Sequence, residues 1–205
     1  MNLANKLTMF RIFLTVCLIV LLLFPFYLVN IEFPKVLIST VTVDIKYFIA
    51  AGIFAVASIT DALDGYIARK NNIVTNFGKM TDAIADKMLV NSTLIILTAQ
   101  GFVSPVITVI IVMRDTVVDT IKMIAGSKGK VIAAIKTGKI KTTFLMLGIV
   151  LTLCYNLPFE VFGYDVANFL LVLAVIFSVV SGVEYYNQNK DIIFEEDKKE
   201  SKSKK

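Results

Sequence analysis

The segment Asp61–Asp86, DALDGYIARKNNIVTNFGKMTDAIAD, gathers four aspartates in a chain otherwise built of apolar blocks. Asp61 and Asp64 stand three residues apart, and Asp82 and Asp86 four apart. On a helix either spacing puts both carboxylates of a pair on one face. The run Lys70–Phe77 is polar enough to be the turn between two helices, returning the second pair beside the first. Converging carboxylates repel, and a buried anion persists when it is paired or bound to metal. The chain has no histidine, the commonest general base and metal ligand. Aspartate oxygens alone suit a hard cation, Mg²⁺ or Mn²⁺, and two ions sharing the cluster could clamp a pyrophosphate. Gly65 follows Asp64 directly and Ala68 lies four residues after it, so a flat or bulky group can approach the helix backbone there. Arg69 offers a donor fork for phosphate.

Such residues need membrane helices to position them. Of 205 residues, 57% are hydrophobic and 18% charged, with mean hydropathy +0.77; a soluble domain averages about 45–50% apolar and about 25% charged. The expected fold is all-α, a polytopic membrane protein with six transmembrane helices. The candidate spans are Thr8–Val29, Ile45–Arg69, Gly78–Ala99, Ser104–Ile124, Lys141–Tyr155 and Val166–Tyr186, forming a membrane domain over 1–190 with a charged tail over 191–205. No cleavage site of the A-x-A kind follows the first apolar block, which reads as a retained helix. Lysines and arginines collect at the N-terminus, between spans two and three, between spans four and five, and in the tail. The alternate loops are poor in them, which places both termini in the cytoplasm and agrees with an even number of spans. The net charge of +5 therefore reads as topology and attraction to anionic lipid, with no nucleic-acid partner. Cys17 and Cys154 lie inside apolar blocks and read as core residues with no disulfide.

A second stretch, Met113–Thr142, also carries charge. Arg114 and Asp115 fall within span four, where charge is costly and usually functional. Arg114 could equally form an ion pair with Asp115 or Asp119. The segment GKIKT, Gly138–Thr142, sets Lys139 and Lys141 near the cytoplasmic surface. Cations there suit a phosphorylated acceptor, and topology alone also expects lysines in such a loop.

The segment Asp61–Asp86 matches D-x-x-D-G-x-x-A-R-x₈-G-x-x-x-D-x-x-x-D at all eight fixed positions, Gly78 included. In this it resembles the CDP-alcohol phosphatidyltransferase family. The resemblance implies an enzyme that moves a phosphatidyl group from CDP-diacylglycerol to an alcohol with release of CMP. It implies Asp61, Asp64, Asp82 and Asp86 as ligands to two Mg²⁺ or Mn²⁺ ions, with Asp86 also the general base. It implies Gly65, Ala68, Arg69, Thr75 and Gly78 around the CDP moiety. Asn5, Thr8 and Arg11 match the family's Asn-x-x-Thr-x-x-Arg and would line the cytidine side; a helix cap and an interfacial anchor are the other reading of Asn5 and Thr8. The run MRD followed by GKIKT is similar to the phosphatidylglycerophosphate synthase branch. That likeness implies glycerol 3-phosphate as acceptor, its phosphate held by Arg114, Lys139 and Lys141, with Lys136 and Thr142 nearby. Most members of the branch carry Arg-Glu where this chain has Arg114–Asp115, and a Gln shortly after Thr142 where this chain is apolar. Cardiolipin, phosphatidylserine and inositol-phosphate synthases share the chemistry with other acceptors. A divalent-cation transporter and a non-catalytic membrane scaffold are the readings from other classes. The family also implies a homodimer. The loop Arg69–Lys79 is on the inside by its charge, which expects a cytoplasmic active site, and the expected location is a bacterial cell membrane.

Overall fold

The structure is a computed structural model that describes the backbone of residues 3–38, 41–70, 76–130, 132–133 and 135–193, and side chains over 6–38, 41–61, 84–130, 132–133 and 135–191. It is mostly helical. The elements are α1 (Leu3–Leu23), a 3₁₀ turn (Phe26–Val29), β1 (Lys35–Ile38), β2 (Val41–Asp44), α2 (Ile45–Lys70), α3 (Asn76–Ala99), α4 (Pro105–Ser127), α5 (Lys136–Leu153), a second 3₁₀ turn (Phe159–Phe162) and α6 (Val166–Ile193). Among the described residues two stretches, Lys6–Leu23 and Val166–Asp191, are long and apolar enough to cross a membrane.

The helix boundaries depart from the hydropathy blocks for local reasons. The first helix stops at Leu23, short of Val29, because Pro25 has no N–H to continue the ladder and disfavours helix at the residue before it. The fifth begins at Lys136, not Lys141, since lysine is a good helix former that hydropathy cannot see. The sixth runs on to Ile193. The all-α expectation also misses a hairpin in the first loop. There β1 and β2 pair antiparallel, with Val36 opposite Val43 and Ile38 opposite Val41. Asp44 ends it and caps α2, its Oδ1 accepting the Lys46 N–H at 2.9 Å.

The chain divides into two units. The first comprises residues 1–104 and 146–169. In it α1 packs on α2 and α3. Ala50, Phe54 and Ala57 form the buried face of α2, and Leu89, Leu94 and Leu97 that of α3; alanines at helical spacing let backbones approach closely. Tyr47, Phe102 and Tyr155 stack pairwise at 5.0–5.5 Å, and Gln100 ties Tyr47 Oη (3.2 Å) to the Leu22 carbonyl (3.0 Å). Both cysteines are free thiols here. The second unit comprises 105–145 and 170–205. Its core takes Ile107, Ile111, Val118 and Ile121 from α4, Leu145 from α5, and Leu171 and Ala174 from α6.

The helices bury polar residues and expose apolar ones. On α1 the buried stripe is Thr8, Arg11, Thr15, Leu18 and Leu22, while Met9, Phe10, Phe13, Val16 and Val20 face outward. On α6 Ser178 and Ser181 are buried while Val172, Ile176, Val179 and Val183 are exposed. Water would drive the opposite arrangement; hydrocarbon around the helices permits this one.

Candidate active site

The first unit carries the aspartates. Asp61 and Asp64 both lie on α2, and Asp82 and Asp86 on α3, so each pair has the helical spacing that stacks its members. The two helices are in contact; of the turn expected over Lys70–Phe77, Lys70 closes α2 and Asn76 and Phe77 open α3, and residues 71–75 lie outside the described residues. The side chains of Asp64, Gly65, Ala68, Arg69, Gly78 and Asp82 lie outside the described residues, as do the Asn5 side chain and Thr75. Asp61 and Asp86 are described, and both are partly exposed.

Arg11 is fully buried and forms an ion pair with Asp61 through Nη1 and Oδ1. A buried guanidinium is retained only when paired, so α1 brings one positive charge to the first aspartate of the motif. Thr8 and Thr15 continue that buried stripe, and Thr15 Oγ1 donates to the Arg11 carbonyl at 2.9 Å. Sequence reasoning missed Ser58. Its Oγ lies one turn before Asp61, buried and without a hydrogen-bond partner among the described residues. The two described members, Asp61 and Asp86, offer carboxylate oxygens and are partly exposed, which fits a hard metal. Among the described side chains alone no three acids form a cluster.

The second unit carries the cations. Arg114 on α4 donates from Nε to the Ser178 carbonyl (3.1 Å) and from Nη2 to Ser181 Oγ (2.6 Å). Its Nη1 lies 3.0 Å from Asp115 Oδ1. Lys141 on α5 reaches the same carboxylate at 2.8 and 2.7 Å. Asp115 thus holds Arg114 and Lys141 together. The guanidinium still has donors beyond the three it uses here. Lys141 is buried, with 5% of its side chain exposed. By contrast Lys136 and Lys139 are exposed, and Thr142 Oγ1 bonds back to the Gly138 carbonyl at 3.1 Å.

Small residues make room for this arrangement. A Cβ at Gly182 would come within 3.2 Å of Arg114 Cγ, and one at Gly138 would meet Arg114 Nη2 and Tyr185 Cε2 at 3.8 Å. Tyr185 accepts the Ile135 N–H at 3.2 Å just before α5. Its ring lies 5.6 Å from the Arg114 guanidinium carbon and 5.3 Å from Lys122 Nζ, within cation–π range. Ser178, Ser181, Gly182 and Tyr185 share a face of α6 at helical spacing, a signal present in the sequence but not linked there to Arg114.

Helices carrying a D-x-x-D…D-x-x-x-D motif define a class, and the chain belongs to it. Residues 1–180 match the family model CDP-alcohol phosphatidyltransferase. Within the family it is similar to proteins named CDP-diacylglycerol–glycerol-3-phosphate 3-phosphatidyltransferase. That of Bacillus subtilis (strain 168) is 37% identical over 188 residues, 92% of this chain and 95% of the relative. That of Mycoplasma pneumoniae is 36% identical over 198 residues, 91% and 87%. That of Rickettsia felis is 30% identical over 186 residues, 90% and 93%.

Proposed function

We propose that this chain transfers the phosphatidyl group of CDP-diacylglycerol to glycerol 3-phosphate, giving phosphatidylglycerophosphate and CMP. The observation that carries this is the full eight-position motif on α2 and α3, in a chain that aligns over about nine-tenths of its length with relatives named for that activity.

The acceptor's hydroxyl oxygen bonds to the phosphorus that carries diacylglycerol, and the bond from that phosphorus to CMP breaks. Asp86 takes the hydroxyl proton. Asp61, Asp64, Asp82 and Asp86 would hold two divalent ions, Mg²⁺ or Mn²⁺, which when bound supply positive charge against the diphosphate oxygens. Gly65 and Ala68 let the nucleotide approach the α2 backbone, and Arg69, Thr75 and Gly78 hold the CDP moiety. Asn5, Thr8 and Arg11 line its cytidine side. Arg114 and Lys141 bind the phosphate of glycerol 3-phosphate, supported by Lys136, Lys139 and Thr142, with Asp115 setting the separation of the two cations. No protein nucleophile takes part; catalysis is positioning and charge neutralisation.

All six helices would span the membrane, with both termini and the active site on the cytoplasmic side of a bacterial cell membrane. The lysine and arginine distribution supports that orientation. Large apolar residues exposed on all six helices support the spans: Phe13 on α1, Ile59 on α2, Ile95 on α3, Met113 on α4, Leu147 on α5 and Ile176 on α6. A homodimer is the assembly the family implies.

The deciding experiment measures CMP release by the purified full chain from CDP-diacylglycerol, with each acceptor in turn, with and without Mg²⁺. Turnover should require glycerol 3-phosphate and the metal. Turnover with serine, an inositol phosphate or phosphatidylglycerol instead would replace the acceptor and leave the chemistry. Divalent-cation flux in proteoliposomes without lipid product would overturn the enzyme itself.

A further inference from the structure

Two cavities in the first unit lie outside every residue assigned above. One, of about 920 Å³, sits where α1, the following 3₁₀ turn and the hairpin meet, and Glu32, Lys35, Asp44 and Lys46 line it beside Phe24 and Phe26. The other, of about 380 Å³, is an apolar groove along α1 and α2 lined by Val16, Val20, Leu21, Ile49, Ile53 and Phe26. Phe26 borders both. Each volume is in the range of small-molecule pockets, about 300–1,000 Å³.

The chemistry of the pair is amphiphilic. Lys35 is exposed and Lys46 half-buried, and neither forms an ion pair among the described residues. Lys46 Nζ rests 4.9 Å from the Tyr47 ring centre, and the Asp44 carboxylate is engaged at the start of α2. Two ammonium groups thus face the cavity beside the carboxylates of Glu32 and Asp44, and an anion seated there must lie against the lysines. A water-soluble anion has no use for the groove, and a hydrocarbon none for the lysines. We infer that the composite is a phospholipid site: the phosphodiester lies at Lys35 and Lys46, and one acyl chain runs down the groove past Ile49 and Ile53. It is separate from the substrate lipid's place, because Ile49 and Ile53 lie in the first half of α2 and Asp61 and Asp64 in its second half. The inference rests on the reading that α1 and α2 lie in a membrane.

Native mass spectrometry of the delipidated full chain in detergent tests it, with CDP-diacylglycerol saturating the active site. Phosphatidylglycerol, diacylglycerol with the same chains, and water-soluble glycerophosphoglycerol are the probes. Phosphatidylglycerol should bind at least about tenfold more tightly than either partial molecule, the scale of one charge-assisted contact. The double variant Lys35→Ala/Lys46→Ala should lose that advantage, and so should Ile53→Trp, which fills the groove, while CMP release and melting temperature stay at wild-type values. Equal binding of diacylglycerol, or binding untouched by both variants, would overturn the site. Release of the chain from membranes by carbonate would instead sink the membrane reading beneath it.

Discussion

Asp115→Asn is the perturbation that reads the cation cluster most directly. The carboxylate accepts from Lys141 Nζ through both oxygens, at 2.8 and 2.7 Å, and from Arg114 Nη1 at 3.0 Å. An amide there keeps the shape, removes the charge and leaves one acceptor. Arg114 stays anchored by the Ser178 carbonyl and Ser181 Oγ, so Lys141 is the side chain that moves. A hydrogen bond to a charged group contributes about 1.5–3 kcal/mol, and losing one such contact to the acceptor phosphate is about a 10- to 150-fold effect. Steady-state CMP release should therefore show KM for glycerol 3-phosphate rising about 10- to 150-fold, with KM for CDP-diacylglycerol unchanged. Asp115→Glu should recover most of it, since the carboxylate returns one methylene further out. A fall in KM for glycerol 3-phosphate would refute the reasoning, because Asp115 would then be competing with the phosphate for the cations. An equal rise in both KM values would refute it too, because the damage would be general.

Three further outcomes are expected. Gly182→Ala sets a Cβ 3.2 Å from Arg114 Cγ; a displacement of a few tenths of an ångström should raise KM for glycerol 3-phosphate by about 3- to 10-fold at roughly 1 kcal/mol, with the melting temperature little changed. Asp86→Asn removes the general base and should lower kcat by about 10²- to 10⁴-fold while thermal unfolding in detergent matches wild type; retained turnover would exclude that role. Arg11→Met strands Asp61 without its buried partner and should destabilise by about 2–4 kcal/mol, below the value for a fully buried pair because Asp61 is partly exposed. The double variant Arg11→Met/Asp61→Asn should regain part of that loss in the same melt.

What the sequence made legible follows from how local each feature is. The aspartates stand out because four acids in an apolar chain need an explanation, and their spacing fixes the helical faces without any tertiary knowledge. Helix existence was readable from the apolar blocks; helix ends were not, because Pro25 acts on the backbone and not on hydropathy. The hairpin had a signal in Val36, Ile38, Val41 and Val43, β-branched residues at alternating positions, which a search for spans passes over. The surroundings of Arg114 were not readable. Asp115 is its neighbour in sequence, but Ser178 and Ser181 lie 64 and 67 residues away, and which face of α6 meets α4 depends on packing. Nor does local sequence show that a Cβ at Gly138 or Gly182 would meet Arg114.

The inverted helix faces explain how charge of this density is tolerated. In α1 the polar stripe Thr8, Arg11 and Thr15 turns inward and gives way to Leu18 and Leu22 further along the helix. In α6 Ser178 and Ser181 are buried on the face that also carries Tyr185, while Val179, Val180 and Val183 between and beside them point outward. Where hydrocarbon surrounds a helix, sequestering apolar side chains gains nothing, so the interior is free to be used for hydrogen bonds and ion pairs. Each buried cation here is matched within its own unit, Arg11 by Asp61 and Lys141 by Asp115, which removes the expense of an uncompensated charge. A ligand carrying phosphate then meets cations already fixed in place, so less binding energy is lost to ordering long side chains. This logic requires the partners to act as pairs: exchanging Asp115 and Lys141 with each other should restore folding lost in either single charge reversal, yet leave glycerol 3-phosphate turnover impaired because the cation has moved from α5 to α4. Recovery of both by the swap would show that only net charge matters there.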